Sequence, residues 1–160
     1  MEQPEPYLTL LKPLYQHLPL DKAMPDLVVA GSPDTELVLR VDALIAAHPE
    51  ISAHPGLCAG LWLYIDDLHR SHTVSQHLET PTSAFWHAIM HRREGDFANS
   101  HYWFRKTGLH PAMTLIPGYD PHELVDEVAA HHGHNPESLV SRQRLEWTSL
   151  FKWCAEEAIR

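Results

Sequence analysis

The sequence predicts an all-α fold, a single-domain bundle of six or seven helices with a helical hairpin at its centre. Three observations carry that expectation. No stretch alternates apolar and polar side chains with period two, the mark of a half-buried strand. Apolar residues recur instead every three or four positions. Helix punctuation separates those stretches, with Asp, Ser or Asn just ahead of Pro at the starts and Gly at the stops. One domain is expected over residues 1–160, a length at which roughly 70% of the unfolded surface is buried.

Residues 1–31 form a proline-rich arm carrying Pro4, Pro6, Pro13, Pro19 and Pro25. A short helix is expected over Tyr7–Leu18, and its leucines predict an arm packed on the bundle. In the second helix, Ser32 is the expected N-cap, Pro33 fits the first turn, and Asp34 and Glu36 suit the positive end of the dipole. Leu37, Val41, Leu44 and Ile45 form its apolar stripe, and Pro49 is expected to stop it. A third helix is predicted from Pro55 to His72, with Leu57, Leu61, Tyr64, Ile65, Leu68 and His72 along one side. Trp62, Asp66 and His69 give it a second, mixed face, so it reads as central.

The run Thr80-Pro81-Thr82-Ser83 restarts the chain into a helix over Ser83–Glu94 that Gly95 ends. Asp96 caps the next helix, which runs to Lys106 and stops at Gly108, and the pair makes the hairpin. Asp120-Pro121-His122-Glu123 opens a helix expected to end near His132. Asn135-Pro136 repeats that start ahead of the longest helix, whose stripe is Val140, Trp147, Leu150, Phe151, Cys154 and Ala158. No second copy of any segment is apparent in the sequence.

A net charge of −9 with twelve Lys and Arg argues against a nucleic-acid partner. No apolar run is long enough for a membrane crossing, and Met1–Pro6 lacks a basic leader region, so a cytoplasmic protein is expected. Cys58 and Cys154 have no paired spacing and read as reduced core residues. Five tryptophans and a long last helix admit a homodimer.

The chemistry concentrates between Ser71 and Gly108. At 100° per residue, His87, His91 and Glu94 share one face of their helix, with Phe85, Ile89 and Arg92 opposite. His87 and His91 have the i, i+4 spacing that lets two imidazoles meet one metal, although Ala88 stands where a zinc protease carries its glutamate. A third ligand must come from another element. His72 is preferred over His69, Asp66 and Glu79 because it lies on the core side of its helix. Such a His72, His87, His91 set suits one divalent transition metal, Zn, Fe, Mn or Ni. Without a metal, the catalytic set would be His87 and His91 as acid–base groups with Glu94 or Asp96 orienting them. Arg92, or Arg93, would clamp an anionic group, while Asn99, Tyr102, Trp103, Trp86 and Gln76 would position a small-molecule ligand. The plainer reading leaves the aromatics as hairpin core and Arg93–Asp96 as a surface ion pair. His131, His132 and His134 read as capping residues at a helix C-terminus.

Two resemblances follow from these residues. Ser71, His72 and Gln76, followed by Trp86, His87, His91, Arg92, Glu94, Asp96, Asn99, Tyr102 and Trp103, resemble an SHxxxQ then WHxxxHRxExDxxNxxYW signature. It marks a family of uncharacterised bacterial and fungal proteins, which implies no activity. The stretch Gly95–Lys106 is similar to the second half of a Sel1- or tetratricopeptide-type hairpin, a peptide-binding scaffold that here shows a single copy. The expectation is a small enzyme with a buried pocket for a polar or anionic substrate, working by metal-assisted or His/Glu acid–base chemistry. The alternative is a helical interaction module in which these residues are structural.

Overall fold

Ten residues of nearly unbroken apolar character, Pro55–Tyr64, form the axis of the molecule, with every residue from Leu57 to Tyr64 buried. The computed structural model describes residues 5–131 and 133–159 and contains no strand among them. The helices in chain order are α1 (Pro6–Tyr15), α2 (Thr35–Ala47), α3 (Pro49–Ser52), α4 (Pro55–Tyr64) and α5 (Leu68–Ser75). They continue as α6 (Pro81–Arg93), α7 (Phe97–Thr107), a 3₁₀ helix (Pro111–Leu115), α8 (Pro121–Ala130) and α9 (Glu137–Ala158). The all-α expectation holds, with nine α-helices among the described residues where six or seven were predicted. No helix among them is long and apolar enough to cross a membrane.

Two of the extra helices have local causes. Pro49 does not simply stop α2: His48 turns extended and Pro49 opens the short α3. The predicted Pro55–His72 helix is broken at Asp66, whose φ is +64°. There the Asp67 amide reaches back to the Trp62 carbonyl (2.9 Å) and the Asp66 amide to that of Leu63 (3.0 Å), a Schellman stop without glycine. Asp tolerates the left-handed conformation, and the Arg93 guanidinium holds it there at 2.6 Å while also donating to the Leu63 carbonyl (3.0 Å). Asp67 then caps α5 by accepting from the Arg70 amide.

The same stop recurs at the end of α6, this time with the predicted glycine. Gly95 has φ +86°, the Asp96 amide reaches the His91 carbonyl (2.9 Å), and Asp96 caps α7 through the Asn99 amide. The hydroxyl of Ser71 donates to the Ala59 carbonyl (3.0 Å) and that of Ser100 to the Ala88 carbonyl (2.7 Å). Donors and acceptors are each 29 residues apart, as are Asp67 and Asp96, and His72 and His101. The α4–α5 and α6–α7 hairpins are thus two copies of one device, A-x7-D-x3-S-H. This corrects the expectation of a single copy.

Gly60 lets the layers close. A Cβ there would come within 2.8 Å of Trp86 and 2.9 Å of Phe151. Its carbonyl accepts from the Trp147 indole of α9 at 2.8 Å. α9 carries the predicted stripe, with Val140, Trp147, Leu150, Phe151 and Cys154 buried. It also pins the N-terminal arm, since Arg144 Nε donates to the Ala23 carbonyl (2.8 Å) and Gln143 Nε2 to that of Met24 (3.2 Å). Leu11, Leu14, Ala23, Met24 and Leu27 of that arm are buried, as its leucines predicted. Two caps differ from expectation: Asp34, not Ser32, caps α2, and Asn135 spends its side chain on Leu27 and Asp26 instead of capping α9. His131 does cap, its ring bonding the Glu127 carbonyl, while His132 lies outside the described residues. Both cysteines are buried free thiols, and burial pushes Cys154 up to about 12.

Candidate metal centre

The end of α6 places His87 and His91 one turn apart on the face opposite α9, and α5 brings His72 against them. One ligand nitrogen from each ring lies within 4.8 Å of the other two. His87 and His91 are buried at 4% and 7% exposure, and His72 is half-buried. Trp103 of α7 lies flat on the His87 ring, 3.9 Å between centroids and 15° between planes, with His91 stacked at 4.8 Å. Trp103, expected to position a ligand, is instead a cover over His87.

The protonation pattern suits a ligand set. Burial, reinforced by the neighbouring His91 and His72, pushes the His87 pKa down to about 4, so the ring is neutral at pH 7. His72 is lowered as well, by burial first and His91 second. Glu94 Oε1 meets His91 Nδ1 at 2.5 Å, so that nitrogen carries the proton and Nε2 is the one a metal would take. A carboxylate behind an imidazole is the usual outer support of a metal-bound histidine. His87 Nδ1 is buried with no hydrogen-bond partner among the described residues. Such an orphan costs on the order of 1–3 kcal/mol. Tetrahedral ligation at about 2.0–2.1 Å sets ligand nitrogens about 3.4 Å apart. From separations of up to 4.8 Å the ligand nitrogens would have to close by up to about 1.4 Å, a movement that side-chain rotation can supply.

Above the cluster lies a polar groove of about 560 Å³. One wall is α5, with Asp67 and His69, and the other is the end of α6. The roof is the strap Val29–Pro33, tied down where the Val29 amide donates to the Arg93 carbonyl (2.8 Å). His72, His91 and Glu94 face this groove, and no Lys or Arg among the described residues lines it.

Several residues expected here lie elsewhere. Arg92 is fully buried on the α9 side, forking onto Glu146 at 2.7 and 2.9 Å, and Tyr119 adds a 2.5 Å hydrogen bond to the same carboxylate. Neither Arg92 nor Arg93 can clamp an anion, because Arg93 is spent on Asp66 and backbone carbonyls; the expected Arg93–Asp96 surface pair does not form. Trp86 is buried against Trp147 and lines a different cavity. Gln76 is exposed and bonds His77, Asn99 bonds Asp96, and Tyr102 is exposed with Lys106 over its ring. Asp96 comes within 4.8 Å of His91 and Glu94, but it caps α7. Of the alternative third ligands, His69 reaches the groove and Asp66 is held by Arg93.

Glu146 and Tyr119 were missed by sequence reasoning. A glutamate inside the apolar stripe of α9 was the available signal. No protein-family model, curated protein or solved structure matches the chain. The geometry alone therefore carries the functional reading.

Proposed function

We propose that the protein binds one divalent transition metal, zinc in first place, through His72, His87 and His91, and uses it on a small polar substrate held in the groove. The observation that carries this reading is the convergence of three imidazoles, His72 and His87 held toward the neutral form by burial, His91 braced by Glu94, and His87 with an orphaned nitrogen. A three-histidine zinc site leaves a coordination position open for Lewis-acid chemistry. The groove supplies access to that position, and Glu94 and His69 are the groups beside it that can hold or pass a proton. With both nearby arginines locked in ion pairs, an uncharged substrate fits better than an anion.

Metal-depleted protein titrated with Co²⁺ and Zn²⁺ tests this directly. One equivalent should bind, with the visible bands of four-coordinate cobalt. His72→Ala, His87→Ala and His91→Ala should each remove those bands, and Glu94→Gln should weaken binding about 10–100-fold. No metal uptake by repleted wild-type protein would sink the proposal.

The rival reading, an interaction module, draws on the 29-residue repeat, since stacked helical hairpins are a common protein-binding scaffold. It expects His87→Ala to lower stability while leaving metal content at background in every variant.

A further inference from the structure

A second cavity, of about 510 Å³, shares no lining residue with the groove above the histidines. It opens where the first turns of α4 and α6 meet the 3₁₀ helix and the last turns of α9. Its walls are mostly apolar, with Ala59, Leu78 and the indoles of Trp86 and Trp153, and the fully exposed Leu109 forms a lip. That size and character are those of a small-molecule site.

Four of the polar side chains on its wall, His54, His110, Ser75 and Ser83, are committed. His54 Nδ1 accepts from the Leu57 amide (3.3 Å), so the neutral ring carries its proton on Nε2 and donates to Glu157 (3.0 Å). His110 Nδ1 accepts from the Ala112 amide (3.1 Å), so Nε2–H donates to Thr82 Oγ1 (2.9 Å). His110 is 3% exposed, and burial lowers its pKa, which keeps that arrangement. Ser75 and Ser83 donate to backbone carbonyls. Thr73, Thr107 and Thr148 elsewhere give their hydroxyl proton to the carbonyl four residues back. Thr82, in the first turn of α6, accepts instead, and its own proton has no acceptor among the described residues.

The charge pattern narrows the occupant. Among the described residues no Lys or Arg lines the cavity, and the Glu157 carboxylate on its wall disfavours an anion. A cation would face the N-terminal ends of α4 and α6, where the helix dipoles are positive. We propose that this cavity binds an uncharged, mainly apolar aromatic molecule against Trp153, with the Thr82 hydroxyl donating one hydrogen bond to a ligand carbonyl oxygen.

The test uses 2-acetylnaphthalene as probe on the full chain, followed by saturation-transfer NMR and tryptophan quenching. Saturable binding is expected, about fivefold tighter than that of 2-ethylnaphthalene, the margin of one neutral hydrogen bond. Thr82→Val should erase that margin without weakening the hydrocarbon, Thr82→Ser should keep it, and Leu78→Trp at the rim should block both probes. Thermal melting of each variant separates a lost donor from a lost fold, and the wild-type comparison stands even where a variant does not fold. No saturable binding of the ketone, equal binding of ketone and hydrocarbon by wild type, or preference for 2-naphthoate would overturn the proposal.

Discussion

His87 shows how one side chain couples the site to the stability of the chain. Its folded pKa is held down at about 4, against an unfolded value of about 6.5. Between those values the unfolded chain binds the proton and the folded chain does not. The stabilisation is present in full above pH 6.5 and is lost as pH falls toward 4, by about 3 kcal/mol over that window. His72 and His110, also lowered, act in the same direction. Urea denaturation of metal-free protein at pH 7.5, 5.5 and 4.0 should show this fall, and His87→Phe, which keeps an aromatic ring on Trp103, should flatten it. Equal slopes in both proteins would mean that His87 is not a buried neutral imidazole. His87 over His91 was legible from helical spacing alone, whereas the sequence put His72 on a Pro55–His72 helix that the structure breaks at Asp66, and it reaches the other two from the separate α5. The arginines were not legible. The sequence suggested an anion clamp for Arg92 and a local pair with Asp96 for Arg93, whereas the partners they find are Glu146 and Asp66, 54 and 27 residues away.

At the scale of elements, the two hairpins show why helix existence was easier to read than helix ends. Gly95 announces its stop through its lack of a Cβ, but Asp66 takes the same left-handed position only because Arg93, on a different helix, satisfies it. The duplication escaped notice because its shared residues, Ala59 with Ala88, Asp67 with Asp96, Ser71 with Ser100 and His72 with His101, are few and widely spaced. Their roles as hydrogen-bond partners appear only in three dimensions. The tie between α6 and α9 is equally non-local, with Arg92 and Glu146 both at 0% exposure. Glu146→Gln keeps the shape but strands a buried guanidinium charge, and should cost about 3–5 kcal/mol in denaturant unfolding. The double change Arg92→Met with Glu146→Leu removes both charges and should recover most of that loss. A Glu146→Gln protein as stable as wild type would show that the pair does not hold the helices together.

For the molecule as a whole, the proposed ligands come from two hairpins. His72 belongs to the first, His87 and His91 to the second, so a bound metal would cross-link the repeat units at their seam. α5 is the weaker partner in that seam, a helix of eight residues with only Ser71 and Ser75 buried. Helices this short have little stability of their own and open locally before the core does. Metal that binds only the closed arrangement must then add protection to α5 first, and to the whole fold by RT ln(1 + [metal]/Kd), about 2.7 kcal/mol at a hundredfold excess over Kd. Native-state hydrogen exchange with and without Zn²⁺ should show slowed amides across Leu68–Ser75 and the last turn of α6, with α1 and α2 gaining only the global increment. His72→Ala should lose the α5 protection while keeping the all-helical spectrum. If zinc slows every amide equally, or slows none in α5, the histidines do not bridge the two hairpins through a metal.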